Sequence, residues 1–312
     1  MARLVAGLIM MLGAISVLAG CAASHDDYRP TVLPVDPSIP TATATSESSV
    51  SGSVALIAEY GDCSEGERQV AEMVGTWPVS LVATAGGNAI AAPGCTAYTQ
   101  SVGDFYARFL GGADGARFFP APGIDDYAGA GEAAYRDYFR YLVTMGEDPR
   151  WYKANIGNIN LFLLDSELGG SDLDTQRTWL QQQLMLARSD EPGFWNVVVL
   201  NRPPFASVPH AENAAMQPAA GWDFKGWGAD AVVSGHERLW EQLEVDGLTY
   251  VIAGVGASDV AECPATLSPD SKGCVAGAGA VLLTGYPDRL MLEYRTPDGA
   301  QGTTAASITL TR

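Results

Sequence analysis

Short apolar runs recur along the chain, separated by stretches in which apolar residues return every three or four positions. Residues 53–58 form such a run, ending at Glu59-Tyr60-Gly61, and residues 79–84, 160–164, 197–200, 231–233 and 250–253 form others. Their length and β-branched content predict buried strands. Helical spacing appears over 65–74, through Val70, Met73 and Val74, and over 174–188, through Trp179, Leu180, Leu184 and Met185. Three late runs, 281–284, 290–294 and 307–310, read as a closing antiparallel set. Alternation of this kind predicts an α/β protein with a sheet core and helices outside. In such folds chemistry gathers in the loops just past the carboxyl ends of strands. Those loops are Glu59-Tyr60-Gly61, Gly86-Gly87-Asn88, Gly123-Ile124-Asp125-Asp126, Asn201-Arg202-Pro203-Pro204 and Gly235-His236-Glu237-Arg238.

The first residues carry a different pattern. Arg3 precedes an apolar stretch over 4–17, and Leu18-Ala19-Gly20-Cys21 sets small residues directly before a cysteine. The stretch is shorter than the roughly 20 residues a membrane span needs. Residues 1–20 therefore read as a lipoprotein signal peptide, with Cys21 as the lipid anchor. Residues 21–50 hold Pro30, Pro34, Pro37 and Pro40 and a Thr/Ala/Ser run, a composition with too little apolar surface to fold. They read as a disordered tether for a domain over 51–312. The expected location is outside the cytoplasm, anchored to the bacterial cell envelope.

Charge narrows the set of partners. Acidic residues number 36 against 18 basic ones, a net charge of −18. Nucleic-acid binding, which rests on neutralising phosphates with Lys and Arg, is excluded on that ground. Beyond Cys21 the cysteines are Cys63, Cys95, Cys263 and Cys274, with no CxxC pair. An even number in an exported chain predicts disulfides rather than zinc.

Several stretches resemble the calcineurin-like metallophosphoesterases, in their purple-acid-phosphatase branch. They are Arg117-Phe118-Phe119-Pro120, Phe162-Leu163-Leu164-Asp165-Ser166, Gln176 with Trp179-Leu180, Arg202-Pro203-Pro204-Phe205, and the run from Trp227 through Gly228, Ala229, Asp230 and Ala231 to Gly235-His236. The resemblance implies a two-sheet β-sandwich flanked by helices, four layers in the order α/β/β/α. It also implies two metal ions at the carboxyl ends of the strands, bridged by a carboxylate and activating a water.

The motif positions depart from that pattern. The first metal-binding Asp falls on Glu59 and the bridging Asp on Gly87. The family Tyr falls on Ile90, the Asn of the third motif on Ile124, and its catalytic His on Asp125, with Asp126 retained. The fourth-motif His falls on Asn201; in the last motif His236 is kept and Arg238 replaces the second His. A metal takes the pKa of its water from about 15.7 to about 7, so its loss forfeits roughly 12 kcal/mol of activation. Glu59, Asn201 and His236 are thus expected to be vestigial ligands, and His210, Asp125 and Asp126 vestigial catalytic positions.

Arg202, Arg238 and Asn88 are candidates for holding an anion, with an internal ion pair from the arginines to Glu59 or Asp125 as the competing reading. Glu59, Asp62, Asp125 and Asp126 are read as one acidic rim, solvated or arranged for Ca²⁺ or Mg²⁺. The loop positions pair Cys63 with Cys95 across this rim, and Cys263 with Cys274 around a polar loop. The expected function is that of an inactive pseudoenzyme with a binding or scaffolding role and no cofactor. Its expected partners are the membrane, through the anchor, and an anionic small molecule or an envelope protein. The alternative is an active phosphoesterase with a rebuilt site for a divalent metal ion.

Overall fold

The structure is a computed structural model that describes residues 49–111, 115–128, 131–144 and 148–312. Cys21, the predicted signal peptide and nearly all of the predicted tether lie outside them. The 53–58 run forms β1 (Gly52–Ile57), followed by α1 (Glu65–Thr76) and β2 (Leu81–Ala85). Ser64 caps the start of α1 by accepting the Glu67 N–H at 3.2 Å, while the Glu67 carboxyl accepts the N–H of the preceding Cys63 at 2.6 Å. Then come α2 (Asp104–Leu110), β3 (Phe118–Ala121), α3 (Ile124–Ala128), α4 (Glu132–Tyr138), α5 (Tyr141–Thr144), β4 (Tyr152–Ile156) and β5 (Ile159–Leu163). The long helix α6 (Gly170–Asp190) leads to β6 (Trp195–Leu200), the single turn α7 (Phe224–Trp227) and β7 (Ala231–Ser234). The chain closes through β8 (Trp240–Val245), β9 (Leu248–Ala253), β10 (Ser271–Val275), β11 (Ala280–Gly285), β12 (Arg289–Thr296) and β13 (Thr303–Thr311).

Two mixed sheets result. The first runs β13-β12-β11-β1-β2-β3 and the second β10-β8-β9-β7-β6-β5-β4. β1, β2 and β3 are parallel, and the predicted closing set, β11 to β13, continues that sheet antiparallel. In the second sheet β5, β6, β7 and β9 are parallel.

Strand alternation sorts the apolar residues into two cores. Leu161, Leu163, Val197 and Val199 join the cluster that holds Leu56, Val82 and Leu283. Their neighbours Phe162, Leu164, Val198 and Leu200 face the other way, onto Leu180 and Leu184 of α6 and Trp222, Phe224 and Trp227 around α7. The aromatic segment over 127–152 also packs inward: Tyr135, Phe139 and Tyr152 are fully buried, and the Tyr135 hydroxyl donates to the Pro120 carbonyl.

The pattern misses β3, β4, β8 and β10. β3 is four residues long and contains Pro120. β8 carries buried Glu241 where alternation expects an apolar residue, and β10 (SKGCV) is polar and only half-buried. Both disulfides are present, Cys63–Cys95 and Cys263–Cys274.

Candidate functional site

The loops after β1, β2, β3, β6 and β7 meet where the two sheets present their carboxyl ends. The β1 and β2 loops are laced together by backbone: the N–H groups of Glu59, Tyr60 and Gly61 donate to the carbonyls of Gly86 and Gly87 at 2.9–3.2 Å. Such close approach fixes what each position can carry.

Gly87 has φ +66, and a Cβ there would lie 2.6 Å from Glu59 Cα and 2.9 Å from Glu59 Cδ. An aspartate at this position, the bridge that a dimetal centre needs, has no room. The Glu59 side chain occupies the space instead. It is 2% exposed and accepts the Asn201 side-chain amide at 2.8 Å and the His236 backbone N–H at 3.1 Å. Burial, reinforced by nearby Asp125, pushes its carboxyl up to about 8, against the lowering effect of the Asn201 bond. At neutral pH Glu59 is mostly neutral.

Asn201 is equally committed. Its amide nitrogen also donates to the Ala85 carbonyl at 2.8 Å, and its oxygen accepts the Ile124 N–H at 3.4 Å. A Cβ on Gly86 would fall 2.3 Å from its Nδ2, and one on Gly123 2.6 Å from its Cγ. The amide is packed as a structural bridge between β6 and the β2 and β3 loops, with both of its N–H donors engaged.

A second polar node lies alongside. Asp126 is fully buried and accepts from Asn88 Nδ2 and the Gly123 N–H, each at 2.8 Å, and from the Tyr98 hydroxyl at 3.0 Å. Burial pushes its carboxyl up to about 7. Asn88 is itself buried. Its second amide hydrogen goes to the Ala121 carbonyl, and its oxygen accepts from the hydroxyls of Tyr60 and Thr84. With both donors engaged, Asn88 has none for an anion, which corrects the sequence expectation.

The remaining candidates do not converge either. The predicted ion pairs from Arg202 and Arg238 to Glu59 or Asp125 are replaced by pairs with Glu167, at 3.3 Å, and with Asp259. His236 sits in the left-handed region at φ 68, and its ring nitrogen is 3.9 Å from Glu237 Oε1; it is the backbone, not the imidazole, that ties it to Glu59. His210 is exposed on a turn after β6. The acidic rim also comes apart, because Asp126 and Glu59 turn inward into separate networks while Asp62 caps the Ser64 N–H at 2.9 Å. Among the described residues, no group of three or more His, Cys, Asp or Glu is placed to hold a metal ion. A carboxyl and an amide bonded to each other, with one imidazole and no room for a bridging carboxylate at position 87, do not fit a dimetal centre.

Two features have no counterpart in the sequence reading. Ile90, at the family's Tyr position, lines an apolar cavity of about 500 Å³ with Ala89, Ala92, Pro93 and Tyr98. Asp165, past β5, accepts the Tyr127 hydroxyl and the Glu167 N–H, and burial pushes it up to about 6. The aromatic richness of 127–152 was the one signal for the latter.

Two mixed sheets flanked by helices, with loops meeting at the strands' carboxyl ends, are the fold of the calcineurin-like phosphoesterases. Among solved structures the chain is similar to GAP50, the anchor in the inner membrane complex of Plasmodium, at 15% identity and TM-score 0.66, covering 84% of this chain and 89% of that one. It is similar to a purple acid phosphatase from yellow lupin seeds at 17% identity and TM-score 0.61, covering 85% of this chain and spanning 54% of the enzyme. A dimetal phosphatase from Danio rerio matches at 12% identity and TM-score 0.59, over 84% of this chain and 99% of that one. No protein-family model and no curated protein matches the chain by sequence.

Proposed function

We propose that the chain is an exported, lipid-anchored pseudoenzyme. It holds a phosphoesterase fold at the cell envelope for binding or scaffolding, without hydrolysing phosphate esters. The observation that carries this reading is Glu59 lying in the space that a bridging carboxylate at position 87 would require. A site that had merely lost ligands would leave room for them; here the room is filled, and the filling groups bond to one another.

The two disulfides support an oxidising compartment, and no described helix is long and apolar enough to cross a membrane. GAP50, an anchor protein by its description, gives the fold a precedent for a role of this kind.

The test is metal content of the purified full chain by mass spectrometry, with a phosphatase assay in added Mn²⁺, Zn²⁺ or Fe. Substoichiometric metal and no turnover are expected. Near-stoichiometric metal with metal-dependent turnover would establish the competing reading, an active phosphoesterase with a rebuilt site. Gly87→Asp should restore neither metal nor activity. It should cost on the order of 2–4 kcal/mol in a urea titration, from overpacking against Glu59 at a left-handed φ. For the anchor, Cys21→Ser should move the protein from the membrane fraction to the soluble one; unchanged fractionation would refute lipidation at that residue.

A further inference from the structure

At the far end of the second sheet, where β6 and β7 begin rather than end, lies a cavity of about 330 Å³, within the size range of small-molecule sites. Three cations reach it from separate parts of the chain: Arg188 near the end of α6, Lys225 in α7, and Arg312 beyond β13. Such convergence is notable in a chain with 18 basic residues and a net charge of −18.

The local charge balance is uneven. Arg312 pairs with Asp230 at 3.2 Å and stacks over the Trp195 ring at 4.0 Å, so its position is fixed. Glu191 is neutralised by Lys153 at 2.7 Å. Lys225 donates to the Asp246 backbone carbonyl at 2.7 Å, which uses one of its three hydrogens and none of its charge. The Arg188 guanidinium has neither an ion pair nor a hydrogen bond among the described residues. Arg188, Lys225 and Arg312 against Asp230 leave two positive charges without a counter-charge. At the opposite end Arg202 and Arg238 are each met by a carboxylate.

One lining residue, Asn196, ends a ladder of asparagines that runs across the sheet. Asn155, Asn160 and Asn196 are register partners across β4, β5 and β6, bonded side chain to side chain at 3.0 Å. Asn196 then donates its side-chain amide to the Gly228 carbonyl at 3.1 Å and its backbone N–H to the Asp230 carboxylate at 2.7 Å. Phe194 adds an apolar wall.

We propose that this cavity binds the phosphate group of a small-molecule phosphate monoester. A phosphate monoester carries about −1.5 to −2 at neutral pH, which matches the two unmet positive charges where a carboxylate does not. The free Arg188 fork makes the bidentate contact, Lys225 and Arg312 flank it, and Phe194 meets the organic part. The site is independent of the filled centre at the other end of β6.

Calorimetric titration of the full chain with inorganic phosphate, glycerol 3-phosphate and acetate tests it. Saturable binding of both phosphates is expected, glycerol 3-phosphate at least as tight as inorganic phosphate and acetate weaker than either. Arg188→Gln should weaken phosphate binding by about tenfold or more and shrink the accompanying rise in melting temperature. Lys225→Gln should weaken binding too, and Arg202→Gln should leave it unchanged. Arg188 is exposed, so its replacement leaves folding intact. No saturable binding of phosphate, acetate as tight as phosphate, glycerol 3-phosphate weaker than inorganic phosphate, or sensitivity to Arg202→Gln instead of Arg188→Gln would each overturn the proposal.

Discussion

At the scale of single residues, the extra methylene of Glu59 relative to aspartate lets its carboxyl cross into the space above Gly87, where Asn201 and the His236 N–H meet it. Its carboxyl rises from 4.5 in the free side chain to about 8 in the fold, chiefly by burial. The folded chain therefore holds a proton that the unfolded chain releases. The stability from this proton is fully present below about pH 4.5 and is lost as pH rises through about 8. Glu59→Gln keeps an acceptor for both donors and cannot ionise. Relative to the native protein, the variant should gain stability between pH 5 and pH 8.5 by an amount on the order of a few kcal/mol. Urea titrations across that range read the difference, in which the raised carboxyls of Glu67 and Asp126 cancel. A difference that stays flat across that range would mean that Glu59 is already ionised in the fold. The sequence made the missing side chain at position 87 plain. It did not show that Glu59 fills the gap, because a side chain's reach across a loop depends on backbone spacing that only the packed sheets set. Likewise Arg202 and Arg238 were legible as cations, but Glu167 and Asp259 become their partners only in space.

Among the elements, strands made of uninterrupted apolar runs were legible, and those broken by a proline or a charged residue were not. Runs such as 197–200 are apolar on both faces because the second sheet packs against the first on one side and against α6 and α7 on the other. β4 and β10 each pair on one side only and tolerate Lys153 and Lys272, while β8 lies between β10 and β9 and buries Glu241 because the Ser207 N–H and hydroxyl donate to it; each breaks the apolar alternation. One polar side chain ties α6 to the end of β5, beside the apolar packing of Phe162. Gln176 is fully buried, accepting the Asp165 N–H at 2.8 Å and donating to the Asp165 carbonyl at 2.9 Å. Gln176→Ala strands both backbone groups and should cost about 2–4 kcal/mol, read as a lower urea midpoint with unchanged slope. A loss under about half a kcal/mol would show that water takes over both bonds.

For the whole molecule, the α/β layering followed from element order, the two-sheet sandwich from the family resemblance and both disulfides from loop position, while the two polar nodes and the basic cavity needed the assembled sheets. Cys63–Cys95 closes a separation of 32 residues and Cys263–Cys274 one of 11. Chain entropy predicts that removing the first, as Cys63→Ala with Cys95→Ala, costs about 4 kcal/mol and removing the second about 3 kcal/mol. Thermal melts of the two double variants under oxidising conditions compare them; an inverted order would put the difference in native packing rather than chain entropy. The position of β1 has a mechanical consequence. It is the first strand of the domain, yet it lies inside the first sheet, paired with β11 at five positions and with β2 at four. Its hydrogen bonds run across the strand direction, so tension applied along the N-terminal lead loads them in shear. An edge strand under the same pull would peel away from a single neighbour. Here two flanking ladders share the load, and the domain yields only when both slip together.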